Sequence, residues 1–151
     1  MKAMLALMGC AGLAFAAAAA DLPYDERADA TAQLQQALGS AQADHHDVLV
    51  VFGANWCDDC RELDKALHGS SAALIASRFD VVKVDVGHFD KNLDLANRYG
   101  NPIGKGIPAI VVLTSDNRLL YSTRAGELAN ARRMGEAGIY DFLSQHVAAA
   151  H

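Results

Sequence analysis

The chain has 151 residues, 52% of them hydrophobic and 21% charged, and carries a net charge of −5 at pH 7. That length supports one domain with a real core. The acidic balance, with no basic patch or tail, argues against nucleic acid or an anionic membrane surface as a partner.

Met1-Lys2 is followed by Ala3 to Ala20, an uncharged run rich in Ala, Leu and Met that ends in an Ala-x-Ala pattern before Asp21. A short basic start, an apolar centre and small residues at the end predict a secretory signal peptide, residues 1–20, cleaved near Ala20. Leu7-Met8-Gly9-Cys10 faintly resembles a lipoprotein processing box, with lipid attachment at Cys10 as the minor alternative. The expected location is the periplasm. Once residues 1–20 are removed, Cys57 and Cys60 are the two remaining cysteines. A disulfide between them closes a tiny loop and adds little stability, so the pair is better explained by chemistry than by stapling.

Residues 21–43 read as an N-terminal extension, with Pro23 in an irregular start and a helix over 27–42 from the helical spacing of Ala30, Leu34, Ala37, Leu38 and Ala41. Residues 44–151 read as the main domain. Val48 to Phe52 is an apolar run suited to a buried central strand. The segment from Cys57 to His68 has helical periodicity, which Gly69 ends or bends, and Ser70 can cap a continuation through Phe79. Asp80 to Val86 alternates as a second strand, and Lys91 to Tyr99 is a short helix stopped by Gly100. The Gly- and Pro-rich loop 101–108 leads into a strand at 109–113. A turn at 115–118 returns the chain as a fourth strand over 119–123. Residues 126–133 fit no element clearly, and 134–147 is the final helix, with Gly135 and Gly138 as weak points. This order gives a mixed sheet covered by helices.

Trp56-Cys57-Asp58-Asp59-Cys60 carries the chemistry. The strand before it delivers Cys57 to a helix N-terminus, where unpaired N–H groups and the helix dipole favour a thiolate. A thiolate is the attacking species in disulfide exchange. Cys60, one turn on, lies on the same face and can resolve a mixed disulfide. Asp58 and Asp59 oppose a thiolate at Cys57 and raise its pKa, which favours a reductant over a strong oxidant; Asp58 capping the helix would weaken that effect. The chemistry needs no metal or organic cofactor beyond the redox-active Cys57–Cys60 disulfide.

A Cys-x-x-Cys pair after a strand, with Gly106-Ile107-Pro108 before a later strand, resembles the thioredoxin superfamily. The resemblance covers residues 44–147 and implies a thioredoxin-like α/β fold. It also implies a cis Ile107–Pro108 bond, Pro108 packed against the cysteines, and Ile107 backbone pairing with an extended substrate. Trp56 would shield the site and offer an apolar contact. Within the superfamily, Ala54-Asn55-Trp56-Cys57-Asp58-Asp59-Cys60 and the carboxylate of Asp64 are most similar to the C-terminal periplasmic domain of the disulfide reductase DsbD and related small exported proteins. Thioredoxin has a buried aspartate where this chain has Val51, and a proline where it has Lys65. Asp64, one turn from Cys60, is therefore the expected substitute proton acceptor.

The expected activity is thiol–disulfide oxidoreduction that reduces or isomerises protein disulfides. Disulfide-containing proteins are the expected partners, a membrane thiol reductase is the candidate electron donor, and nothing requires more than a monomer. Three alternatives stay open: a disulfide-donating oxidant using the same site, a non-catalytic binding module, and metal handling. Metal handling would draw on Cys57 and Cys60 with His45, His46, His68 or His88, but there is no second Cys-x-x-Cys to complete a structural zinc site.

Overall fold

A computed structural model describes residues 21–150. The expected signal peptide at 1–20, its expected cleavage near Ala20 and the lipid-attachment alternative at Cys10 lie outside the described residues.

The elements are α1 (Ala30–Asp44), β1 (Asp47–Gly53), α2 (Asp58–His68), α3 (Ala72–Ala76), β2 (Phe79–Asp85), α4 (Leu93–Arg98), β3 (Ala109–Leu113), β4 (Leu119–Ser122) and α5 (Ala131–Phe142). The strands form one mixed sheet in the order β2-β1-β3-β4. β1 runs parallel to β2 and antiparallel to β3, and β3 pairs antiparallel with β4. This is the thioredoxin-like arrangement that the motif implied.

β1 is apolar from Val48 to Phe52 because both of its faces are covered there. Val48, Val50 and Phe52 pack with Leu34 and Leu38 of α1 and Leu95 of α4. Leu49 and Val51 point the other way, toward Leu63 and Leu67 of α2 and Ile139 of α5. The sheet is thus the middle layer of three, and β1 ends at Gly53, beneath the N-terminus of α2.

Several boundaries differ from the sequence expectation, each for a local reason. Asp29 starts α1 later than residue 27 by accepting the N–H of Ala32 on Oδ1 at 2.9 Å. The helix then runs past 42 to Asp44 and stops where His45 turns left-handed (φ 58°). Ser70 caps nothing: α3 is preceded by Ser71, which makes no side-chain cap bond, and Phe79 already belongs to β2. α4 begins only at Leu93 because Asn92 is left-handed (φ 53°). Pro102–Lys105 forms a short 3-10 turn inside the expected loop. The ambiguous stretch before 134 contributes the first turn of α5 from Ala131. Gly135, at φ 66°, kinks that helix, a conformation glycine adopts readily. The chain continues past Phe142 as one wide π turn over Leu143–Val147.

Candidate active site

Cys57 is the N-cap of α2, not its first helical residue, and takes the role that Asp58 was considered for. Its extended backbone (φ −84°, ψ 111°) turns the sulfur back over the helix start, where Sγ lies 3.1 Å from the backbone N of Cys60. That N–H is one of the orphan donors of a helix N-terminus, so a thiolate at Cys57 would receive a hydrogen bond and the positive end of the dipole together. Cys57 and Cys60 form a disulfide with Cα atoms 5.2 Å apart. Cys57 is 6% exposed and Cys60 fully buried, so a substrate can meet only the first sulfur.

The Ile107–Pro108 bond is cis. Both residues are buried, and the Ile107 carbonyl oxygen lies 3.7 Å from Cys57 Sγ. The loop therefore stands beside the cysteine pair although fifty residues separate them. Trp56 is 48% exposed, which sets it apart from the core. Its Nε1 donates to the Gly87 carbonyl at 2.8 Å, and its ring stacks on His88 at 5.2 Å with Phe89 at its edge. A groove of about 360 Å³, lined in part by Phe89, Leu93, Ile103 and Gly106, opens next to the proline loop.

The two aspartates between the cysteines are not bare. Asp58 pairs with Arg61, and Arg132 reaches it from the first turn of α5, with Nη1 at 3.2 Å from Oδ2. Asp59 receives three bonds from Arg132: the backbone N–H at 2.9 Å and Nε at 3.3 Å on Oδ1, and Nη2 at 3.5 Å on Oδ2. Arg61 also donates to the Asn55 carbonyl at 3.0 Å. The negative charge beside Cys57 is therefore partly neutralised, and the charge argument for a reductant is weaker than the sequence alone makes it.

Asp64 does not face water as part of an open charged surface. Its carboxylate pairs with Lys83 of β2, lies 3.4 Å from His68 Nδ1, and is only 23% exposed. Next to it is a residue the sequence did not single out. Tyr24 is buried against Gly53, its Oη and the Cys60 sulfur both crowding the point where a Gly53 Cβ would sit. Burial first, and then the charges of Asp64 and Asp85, push the Tyr24 phenol well above the usual tyrosine range. Asp85 is itself held by Lys91 Nζ at 3.3 Å. The roles of Arg132, Lys83, Tyr24 and Asn55 are invisible to motif reading, because each acts through a partner distant in sequence.

Among the described residues, one group with metal-ligand chemistry brings its atoms within 4.8 Å of one another: Asp44, His46 and Asp80. It includes neither cysteine, and of the four histidines considered beside them only His46 belongs to it. No helix among the described residues is long and apolar enough to cross a membrane.

A family model described as thioredoxin-like matches residues 29–115. No curated protein matches. Among solved structures, the chain is similar to a disulphide isomerase from Xylella fastidiosa Temecula1. The two are 55% identical with a TM-score of 0.81, over 84% of this chain and 98% of that one. It also matches the germline-specific thioredoxin Deadhead of Drosophila melanogaster at 26% identity and TM-score 0.45, over 64% of this chain and 85% of that one. A thioredoxin from Thermus thermophilus matches at 23% identity and TM-score 0.45, over 73% and 88%.

Proposed function

Because the chain belongs to the thioredoxin-like family, we propose that it is a thiol–disulfide oxidoreductase of the cell envelope that reduces or isomerises disulfides in other proteins. The observation that carries this reading is the placement of Cys57: a helix-capping sulfur at the surface edge, bonded to a buried partner and flanked by the cis-proline loop. The description of the Xylella protein supports the isomerase side of the reading.

Starting from the dithiol, the Cys57 thiolate attacks one sulfur of a substrate disulfide. A Cys57–substrate bond forms, the substrate S–S bond breaks, and the electron pair leaves on the other substrate sulfur. Cys60, after giving its proton to Asp64 or to water, attacks Cys57 Sγ. The mixed disulfide breaks, the second substrate thiolate leaves, and the protein is left oxidised by two electrons. In isomerisation the freed substrate thiolate attacks another disulfide of the substrate before Cys60 acts; the thiolate this releases attacks the substrate sulfur of the mixed disulfide, a new substrate disulfide forms, and Cys57 departs as a thiolate. The Ile107 backbone and the exposed face around Trp56 would hold the substrate chain, and the oxidised protein would be recharged by a membrane thiol reductase.

The N–H directed at Cys57 Sγ and the arginines on Asp58 and Asp59 favour a second reading, a disulfide-donating oxidant, because they stabilise the thiolate and hence the reduced form. Equilibration in glutathione buffers with thiol trapping separates the two. A potential near thioredoxin's, about −270 mV, supports the reductive reading, and one near about −120 mV establishes the oxidant. In the same series, insulin reduction by the wild type, lost in Cys57→Ser, is expected. Equal activity in the variant would remove the oxidoreductase proposal.

A further inference from the structure

Tyr24 enters the site from the N-terminal segment, ahead of the residues that the family model matches. Three features hold it there. Asn55, two residues before Cys57, accepts the Tyr24 N–H on Oδ1 at 3.0 Å and donates from Nδ2 to the Tyr24 carbonyl at 2.8 Å. A third bond from Nδ2 to Glu26 Oε1, at 3.1 Å, secures the same segment. Gly53 supplies the space: a Cβ there would sit 2.2 Å from Tyr24 Oη and 2.9 Å from Cys60 Sγ. It is the hydroxyl end of the ring, not its edge, that comes down beside the resolving sulfur.

We infer that Tyr24 is a positioning residue for the resolving cysteine, its phenol donating a hydrogen bond to the Cys60 thiolate. The inference rests on the proposed thiol–disulfide exchange for its purpose but not for its geometry. A thiolate at a fully buried sulfur is costly, since burial disfavours the charged form. A hydrogen bond to that charged form offsets the cost. Tyr24 suits the part because burial and two neighbouring carboxylates hold its own proton firmly, which makes it a donor throughout the working range and never the base. The base is a separate group. The charged groups facing this corner are Asp64 with Lys83 and His68, from α2 and β2, and Asp85 with Lys91, from the end of β2 and the loop after it. In the resolving step the Cys60 proton passes to the Asp64 carboxylate while Tyr24 keeps its own. The Cys60–Cys57 bond forms as the Cys57–substrate bond breaks, and the electron pair leaves on the substrate sulfur, which takes up the proton. No outside oxidant or reductant enters.

The test is the titration of Cys60 in Cys57→Ala, followed by thiolate absorbance with and without Tyr24→Phe in the full chain. Cys10 is common to both proteins and cancels in the difference. Losing the donor should raise the Cys60 midpoint by about one pH unit, a tenfold change in thiolate at a given pH. A difluorotyrosine placed at position 24, a stronger donor of nearly the same shape, should lower it. With Cys57 present, Tyr24→Phe should slow release of a trapped mixed disulfide about tenfold below the Cys60 midpoint and leave it unchanged above. A purely packing role predicts no movement of the midpoint in either variant, or equal slowing at every pH, and either result overturns the inference. Because the titration needs no turnover, it stands even if the chain reduces no disulfide.

Discussion

Arg132→Gln should make the Cys57–Cys60 couple more reducing, and the structure sets the size of the effect. The guanidinium touches Asp58 at 3.2 Å and Asp59 at 3.3 Å, and among the described residues no other cation pairs with Asp59. Removing it uncovers negative charge beside Cys57 while Arg61 remains on Asp58. Arg132 is 58% exposed, so an effective dielectric between that of a protein surface and water applies. For a separation on the order of 7 Å, a unit charge then changes the thiolate by about 0.6–1.2 kcal/mol, or about 0.4–0.9 of a pKa unit. A less stable thiolate destabilises the dithiol relative to the disulfide, so the potential falls, by at most about 10–25 mV. Glutathione equilibration in 50 mM and in 1 M KCl measures this directly. Because the Debye length shrinks from about 10 Å at 0.1 M to about 3 Å at 1 M, most of the difference between wild type and variant should vanish in high salt. A potential that rises, or a fall that survives 1 M KCl, would refute the electrostatic account of Asp58 and Asp59.

Gly53→Ala places a methyl on Tyr24 and Cys60 and should cost about 1–3 kcal/mol of stability, read as a lower urea midpoint; the cost should shrink in a Tyr24→Leu background, and an unchanged midpoint would mean that the ring moves aside freely. Acid should weaken the fold partly through Glu127: burial pushes its carboxyl up, but its own backbone N–H, those of Ala125 and Arg124, and the charge of His146 together outweigh this and hold it below the usual glutamate range. With the folded pKa below the unfolded one, its contribution is present above the unfolded value, near 4.3, and is lost as pH falls through the folded one. Glu127→Gln should therefore flatten the acid limb of the stability–pH curve, and an identical limb in wild type and variant counts against the assignment.

The parts of the molecule legible in the sequence are those written in short windows. Five consecutive apolar residues before a Cys-x-x-Cys pair specify a central strand feeding a helix, and Gly106-Ile107-Pro108 marks the loop that returns to it. Helix ends were less legible, because they depend on single backbone angles at His45 and Asn92 and on which of several polar residues caps. The electrostatics of the site were the least legible. Asp58 and Asp59 read as uncompensated charge because their partner Arg132 lies more than seventy residues away, in a stretch with no clear periodicity. Asp64 reads as the substitute proton acceptor one turn from Cys60, but its ion pair is hidden because Lys83 sits on a different element.

The same reasoning explains why the N-terminal segment belongs with the site. α1 contributes Leu34, Leu38 and Ala41 to the core that also holds Val50, Phe52, Cys57 and Cys60, so the helix packs into the layer beneath the cysteines. The residues before it are tied down chiefly by Asn55, which lies inside the motif itself, with Lys91 Nζ donating to the Glu26 carbonyl at 3.2 Å. An asparagine there is unremarkable as sequence, since exposed polar residues commonly flank such pairs. Buried at 8% exposure, it instead satisfies two backbone groups of Tyr24 that would each cost about 1–3 kcal/mol if left unpaired in the interior. The motif thus fixes more than the two sulfurs. Asn55 anchors the segment, Gly53 leaves it room, and the phenol it carries is delivered to Cys60. The position that holds a buried aspartate in thioredoxin is Val51 here, and polar control of the resolving sulfur comes from outside that strand.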